Sequence, residues 1–380
     1  MKKHNLVNWQ GQMKISPVHF RQTENYFIEE LNDVRSLFLQ RHDYGLLPLT
    51  SQNKEVEIQI REHISNQVEI NLYSCNAVTA SGERINFNLS ESEMPLSKTY
   101  SPEQESKGQN RETTHWDVIL TVEPYERIAV GELNPLEEPP RHPDCESSYK
   151  LHIVPSGEFN IAAFGSHFLT IGKIRKEGER YLVDQNYIPP CRTMSSHPEL
   201  VSYCKKFDIL LYKMRKSSQN IINKVNNRPN GSELAANIRL MSDAIFTYIA
   251  SIHFKLKNFG TSIPPVLMTE YISALASHCY VCLVRLPGVQ KDELLKYFYE
   301  WSDVTPGSFE ELLSGTMEIE YEHTDLRAVM VRLEMFINTF SELWEHLNRL
   351  EYIGQHKESL VVSASGGERN EDRHGFMVSD

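Results

Sequence analysis

The hydrophobic pattern of this chain changes period at Ile188, Pro189 and Pro190. Before these residues, apolar side chains alternate with polar ones, which is the period of a strand with one buried face. After them, apolar side chains recur every 3.5 residues, the period of helices that pack along a supercoiling seam. Because proline interrupts both kinds of backbone hydrogen bonding, the two prolines mark a boundary. The sequence therefore predicts an α+β, multidomain chain with a β-rich part followed by a helical part.

The β-rich part contains short strand patterns separated by turn residues. This density of short strands suggests a β-sandwich. The predicted strands are residues 55–61, 68–72, 85–87, 117–122, 149–154, 158–164, 169–174 and 180–183. Residues 97–114 are polar and nearly free of large aliphatic side chains, so they are predicted to form an exposed loop. Residues 131–145 are predicted to be a connection punctuated by prolines.

The helical part begins with the clearest stripe in the sequence. Its members are Leu200, Cys204, Phe207, Leu211, Met214, Ser218, Ile221 and Val225. Further helices are predicted from Ser232, from about Pro264 to Leu286, and from about His323 to Glu351. Four long helices with short connections predict a helical bundle, and the seam-like stripe leaves room for association between chains.

The first forty residues are predicted to contain an amphipathic helix. Ser16 can cap a helix and Pro17 suits its first position. The residues that follow repeat at helical spacing on one face. They are Phe20, Phe27, Leu31, Val34 and Phe38. Periodicity alone therefore predicts a helix whose apolar face packs on a core.

A dense string of residues surrounds the start of this helix. It consists of Trp9, Gly11, Met13, Ile15, Pro17, His19, Phe20 and Gln22. The string resembles the opening of the type VI secretion baseplate subunit family TssK. Gln10, Gln12 and Val18 depart from the commoner family pattern, which places the chain in a distant branch. Residues 76–89, residues 169–190 and the run from Tyr321 to Leu326 also resemble the family, in the family's order.

The resemblance implies a homotrimeric, non-enzymatic baseplate component that links the contractile tail to the membrane-anchored complex. Baseplate wedge proteins are the implied partners. The predicted partner-binding residues are Trp9, Gly11, Met13, Ile15, His19 and Phe20. The predicted trimer interface is Leu200, Cys204, Phe207, Leu211, Met214, Ile221 and Val225. A head domain that contacts the membrane complex in better-known members has no recognisable counterpart here, so that contact is left without an assigned surface.

These assignments divide the chain into four regions. They are an N-terminal segment and helix (1–40), a shoulder-like β-sandwich (41–192), a neck-like helical bundle (193–351) and a disordered tail (352–380). The tail prediction rests on the polar composition of residues 363–380, which cannot cover a core.

Composition excludes several function classes. A net charge of −12 over 380 residues argues against a nucleic-acid partner, because phosphate binding requires a basic surface. No signal peptide or membrane-spanning segment is predicted, so direct membrane insertion is not expected. The six scattered cysteines form no disulfide framework, which favours a cytoplasmic location.

Candidate catalytic and metal-binding groups do not form a convincing site. Cys279 and Cys282 have metal-ligand spacing but lie in an apolar helical pattern without a second pair. His142 and Cys145 lack a fourth ligand, and the Ser166-His167 pair is not in a nucleophile elbow. The sequence predicts no enzyme activity, metal or cofactor. The alternatives are a β-sandwich enzyme acting on carbohydrates or esters, and a phage-type adsorption protein.

Overall fold

The computed structural model describes residues 4–63, 67–89, 94–101, 114–157, 166–228, 231–302 and 304–357. These residues form two compact units. The first comprises residues 1–204, 260–268 and 321–329, and the second comprises residues 205–259, 269–320 and 330–380, each within the described ranges. The predicted strand at 158–164, residues 102–113 of the predicted loop and residues 358–380 of the predicted tail (352–380) lie outside the described residues. The first residues of that tail are described, and the Gly354 backbone N–H donates to the Tyr297 hydroxyl at 3.2 Å.

The first unit contains a helix followed by nine strands among its described residues. The helix is α1 (Pro17–Ser36). The strands are β1 (Gly45–Leu46), β2 (Glu57–Glu62), β3 (Val68–Val78), β4 (Arg84–Asn88), β5 (Leu96–Tyr100), β6 (His115–Val130), β7 (Asp144–Pro155), β8 (Phe168–Glu177) and β9 (Arg180–Val183). They form two antiparallel sheets, so the predicted α+β class is confirmed at this level.

Strand β3 is the centre of the first sheet. It pairs antiparallel with β1, β2, β4 and β5. Ile70 and Leu72 on β3 are fully buried, and their alternation with polar neighbours is the pattern that identifies the strand in the sequence. The strand therefore contributes most of the apolar surface of this sheet.

The second sheet has the strand order β7-β6-β8-β9. Strand β6 is its longest strand, and Val118, Ile119 and Leu120 are successive residues with almost no exposure. Consecutive residues point to opposite faces of a sheet. Both faces of β6 are therefore covered at this level.

The predicted exposed loop at 97–114 is wrong for its first four residues. Ser97 to Tyr100 belong to β5, in which Ile70 of β3 is paired with Lys98. The Tyr100 hydroxyl accepts a hydrogen bond from Trp116 Nε1 at 3.0 Å. Backbone hydrogen bonds to β3 and the buried Tyr100 ring hold this segment in the sheet. Its other side chains, at 97–99, are polar and exposed.

Helix α1 begins where it is predicted to begin, but the prediction that its apolar face packs on a core is wrong. No residue of the helix is buried. The predicted apolar face is Phe20, Phe27, Leu31, Val34 and Phe38, and each of these side chains is at least 52% exposed. The half-buried residues include Asn25, Glu29 and Asn32. Tyr26 and Ile28 are half-buried as well, so the helix packs on its own unit mainly, but not only, through polar residues.

The second unit is helical in all its regular described structure. Its residues come from α2 (Pro198–Asn226), α3 (Glu233–Phe259), α4 (Pro265–Val284), α5 (Gly288–Trp301), α6 (Pro306–Met317) and α7 (Leu326–Arg349). The first residues of α2, α4 and α7 belong to the first unit. Buried aromatic rings form a contiguous cluster in this unit. The rings are Phe298, Phe309, Phe336, Phe340 and Trp344, with Phe309 stacked on Phe340 at 4.9 Å.

Helix α4 is the one helix within the described residues that is long and apolar enough to span a membrane. Half of its apolar window is buried inside the protein. Tyr271, Ile272, Leu275 and Cys279 are among the buried residues. The core helix of a globular domain has the same length and composition.

Candidate partner interface

The segment that leads into α1 presents most of its predicted partner-binding residues to solvent. Trp9 is 50% exposed, Ile15 65% and Phe20 56%. Gly11 is also exposed, whereas Met13 and His19 are half-buried. Large apolar side chains are normally scattered singly on a protein surface, and contiguous exposed ones indicate an interaction site.

Local contacts bring three of these residues together. The Trp9 ring lies 5.9 Å from the His19 ring and 6.3 Å from the Phe20 ring. The Ser16 backbone N–H donates to His19 Nδ1 at 3.2 Å, which satisfies an amide at the start of α1. Gln12 has a positive φ of 67°, and this turn folds Trp9 back toward the helix. The arrangement makes one aromatic cluster at the N-terminal end of α1.

The outward face of α1 extends this cluster along the helix. Phe27, Leu31, Val34 and Phe38 continue from Phe20 at helical spacing, and all are exposed. Twenty residues of helix extend about 30 Å at 1.5 Å per residue. We call this set, together with Trp9 and Phe20, the α1 apolar face.

Polar contacts attach α1 to the sheets beneath it. Arg127 of β6 forms an ion pair with Glu24 and donates from Nη2 to Asn25 Oδ1 at 2.9 Å. Asn32 Nδ2 donates to Glu83 Oε1 at 2.5 Å. Sequence reasoning missed these anchors. Their only signal is a polar stripe on α1, which periodicity assigns to solvent.

The predicted trimer residues lie in the interior of a single chain. Leu200, Phe207, Leu211, Met214 and Ile221 are buried, as is Cys204, and Val225 is half-buried. They form the inward stripe of α2. The trimer contact remains a prediction, and the same chain covers most of the side chains predicted to make it.

The outer face of α2 carries apolar residues that do not belong to the stripe. Ile209 and Tyr212 are each more than half exposed, and so is Phe254 of α3. A groove of about 290 Å³ lies between these two helices, and its lining includes Ile209, Tyr212, Asp208, Arg215 and Lys257 but not Phe254. In the sequence, this surface is indicated only by apolar residues that lie off the 3.5-residue stripe.

Ser81, His167 and Glu83 resemble a catalytic triad in composition but not in geometry. Ser81 Oγ lies 3.2 Å and Glu83 Oε1 3.1 Å from the same ring nitrogen, His167 Nδ1. A triad needs the nucleophile and the acid on opposite nitrogens of the imidazole. The Ser81 hydroxyl donates to the carbonyl of Ser166 at 2.7 Å. The cluster therefore joins chain segments and does not activate a nucleophile.

The cysteine and histidine candidates are separated or enclosed. In the part of the chain that the structure describes, no group of three His, Cys, Asp or Glu side chains is placed to hold a metal ion. Burial raises the pKa of the Cys279 thiol well above its ordinary value, and it also raises that of Cys282. Such thiols stay protonated and behave as small apolar side chains. His142 Nδ1 bonds to the Gly131 carbonyl oxygen at 2.7 Å.

Comparison with known proteins identifies the fold. No protein-family model matches the sequence, and no curated protein matches it significantly. A crystal structure of TssK matches with a TM-score of 0.52 and 13% identity, covering 89% of this chain and 69% of that one. TssK from the EAEC type VI secretion system, solved with a nanobody, matches with a TM-score of 0.51 and 14% identity, covering 86% and 69%. A chain of the type VI secretion system TssK-TssF-TssG baseplate subcomplex aligns with a TM-score of 0.47 and 14% identity, covering 89% of this chain and 99% of that one. The protein has the fold of TssK, the family that its opening residues resemble.

Proposed function

We propose that this protein is a TssK-type baseplate subunit of a type VI secretion system. It assembles as a homotrimer, binds the baseplate wedge proteins, and helps link the contractile tail to the membrane-anchored complex. The TssK fold and the resemblance of the residues from Trp9 to Gln22 support this assignment. The role is structural, on the cytoplasmic side of the membrane, and it uses no cofactor.

The observation that carries the proposal is the outward orientation of the α1 apolar face. Four large apolar side chains on α1 and Phe38 in the turn after it are each at least 52% exposed, and they are costly to leave in water. Full burial of a side chain of this size is worth about 1.5–3 kcal/mol. A partner that covers the face recovers much of this free energy. Helix-in-groove recognition uses anchors at this spacing.

The contacts within the first unit support a shoulder-like sandwich of the two sheets. Trp116 of β6 bonds to Tyr100 of β5, which belongs to the other sheet. A Cβ placed at Gly172 of β8 would lie 2.8 Å from Ile58 Cδ1 of β2. Facing sheets that interdigitate at such distances form a common core. This arrangement gives α1 a rigid support.

The contacts within the second unit support a neck-like bundle of its four long helices. Lys213 of α2 pairs with Glu345 of α7 at 3.1 Å. Trp344 Nε1 of α7 donates to Ser242 Oγ of α3 at 3.2 Å. The Tyr248 hydroxyl of α3 donates to the Tyr271 carbonyl of α4 at 2.9 Å. Such a bundle presents the outer face of α2 and α3 for contacts between copies.

A capture experiment tests the docking role. The double variant Phe27→Asp, Leu31→Asp places two charges on the α1 apolar face without disturbing a buried residue. We expect it to remain folded and to lose co-purification with the wedge proteins. The control Gln22→Asp adds a charge at an exposed polar position of the same helix and is expected to bind normally. Unchanged capture by the double variant would contradict the proposal.

A further inference from the structure

Glu83 is an acidic residue in an enclosed position beneath α1. Its relative exposure is 4%. Oε1 lies 2.5 Å from Asn32 Nδ2 of α1 and 3.1 Å from His167 Nδ1, which precedes β8. The backbone N–H of Glu83 donates to Thr79 Oγ1 at 3.0 Å, within the turn between β3 and β4. One carboxylate therefore joins three segments that are distant in sequence.

Burial makes these contacts necessary. A carboxylate removed from water is costly unless it is paired and hydrogen-bonded. The hydrogen bond with Glu83 raises the pKa of His167 above its ordinary value, although burial of the ring opposes that shift. Asn32 supplies the second donor. If α1 moved away, Glu83 would lose the hydrogen bond that Asn32 donates.

The turn that holds Glu83 is shaped to fit α1 closely. Gly82 has a φ of +91°, a conformation that L side chains rarely adopt. A Cβ at this position would lie 2.9 Å from Arg35 Cβ of the helix. Arg35 Nη1 also reaches the Gly82 carbonyl oxygen at 3.5 Å. The side chain of Arg35 and the turn are therefore in close contact beside Glu83.

Apolar packing holds α1 only weakly, because no residue of the helix is buried and its large half-buried apolar side chains are those of Tyr26 and Ile28. Successive residues in a helix are about 100° apart. Holding Asn32 against the sheet therefore turns the neighbouring Leu31 away from it, and Phe27 and Val34 with it. Arg127, through Glu24 and Asn25, provides a second polar contact nearer the start of the helix.

We infer that Glu83 is the positioning residue of the docking helix: its contact with Asn32 holds the polar face of α1 on the sheets and keeps the apolar face outward. The contact itself is independent of function, but the reason for an outward apolar face rests on the proposed function. The Glu83–Asn32 contact keeps the apolar face from folding back onto its own unit before a partner binds.

Hydrogen exchange of the purified full chain, without any partner, tests the inference. Asn32→Asp places two carboxylates together, and we expect the amides of residues 17–36 to exchange at least tenfold faster. A tenfold change corresponds to about 1.4 kcal/mol, which is within what a hydrogen bond to a charged group contributes. Exchange in β6 should be unchanged. Gln22→Asp on the same helix is the matched control.

A compensating change separates a specific contact from a general loss of stability. Glu83→Gln in the Asn32→Asp background supplies an amide donor opposite the new carboxylate, and we expect it to restore slow exchange. Unchanged exchange in Asn32→Asp, or no restoration in the double variant, would overturn the inference. The proposed function is tested by a separate experiment. It would fail if the Phe27→Asp, Leu31→Asp double variant still co-purified with the wedge proteins.

Discussion

His323 donates from Nε2 to the backbone carbonyl of Tyr44 at 3.0 Å, across 279 positions of sequence. Its other nitrogen, Nδ1, accepts the Tyr321 hydroxyl at 2.7 Å. The ring is buried, with 5% exposure, and it meets the Tyr44 ring edge-on at 4.7 Å. This histidine therefore fastens the start of α7 to the residue before β1, within the first unit. It belongs to the run from Tyr321 to Leu326, which resembles the family.

Replacing His323 with alanine is expected to destabilise the first unit. The change leaves the Tyr44 carbonyl and the Tyr321 hydroxyl without this partner, and each unsatisfied buried group costs about 1–3 kcal/mol. Urea denaturation followed by circular dichroism measures the loss. The exposed residue His115 of β6 is the control, and His115→Ala is expected to stay within about 0.5 kcal/mol. Equal stability of the two variants would contradict the role of His323.

The stability of the protein is expected to fall as the pH drops below about 6.5, the ordinary pKa of histidine. Burial lowers the pKa of His323, and it also lowers that of His197. A histidine whose folded pKa is depressed contributes stability above the unfolded pKa, and this contribution is lost as the unfolded chain takes up protons. His167 acts in the opposite sense. Its pKa is raised by Glu83, so its contribution is present at low pH and is lost as the pH rises through the raised value.

Urea denaturation from pH 5 to pH 8 isolates the term due to His323. His323→Gln removes this titrating ring and leaves the other acidic and basic groups in place. We expect the difference in unfolding free energy between the parent and this variant to shrink as the pH falls. A constant difference over the whole range would contradict a neutral buried His323.

Phe207 and Ile209 are two residues apart on α2 and have opposite environments. Phe207 is fully buried, and Ile209 is 57% exposed. Phe207→Asp buries a charge, so we expect a loss of folded protein. Ile209→Asp should leave the melting temperature nearly unchanged and should reduce a trimer to smaller species in light scattering. A stable trimer in the Ile209→Asp variant would place the contact between copies on another face.

The sequence predicts the periodic elements of this fold well, because burial on one side leaves a readable period. Strands β2, β3 and β6 to β9 begin within five residues of their predicted starts, and α7 lies within the helix predicted from about His323 to Glu351. Strand β5 was missed because its stability comes from pairing with β3, and backbone hydrogen bonds leave little trace in hydropathy.

A hydrophobic period does not determine which face of an amphipathic helix docks on the protein, or which part of the protein covers that face. The apolar period of α1 predicts the helix correctly, yet the polar face is the docked one, because Glu83 and Arg127 supply specific partners. The stripe from Leu200 to Val225 is real, but the remainder of the same chain covers it. A seam period alone does not distinguish a neighbour in the same chain from a neighbour in another copy.

The last prediction concerns the contact between the two sheets at Tyr100 and Trp116. The Trp116 indole N–H donates to the Tyr100 hydroxyl at 3.0 Å, and both side chains are buried. Tyr100→Phe keeps the ring but removes the acceptor, so the indole N–H is left in a place where water cannot replace it. We expect a loss of about 1–3 kcal/mol in the free energy of unfolding, measured by urea denaturation.

The control is Tyr212→Phe, which removes an exposed hydroxyl from α2 and is expected to change the free energy of unfolding by less than about 0.5 kcal/mol. Combining Tyr100→Phe with Trp116→Phe removes both partners, so the double variant should lose less than the sum of the single losses. Additive losses would show that the hydrogen bond contributes nothing to holding the sheets together.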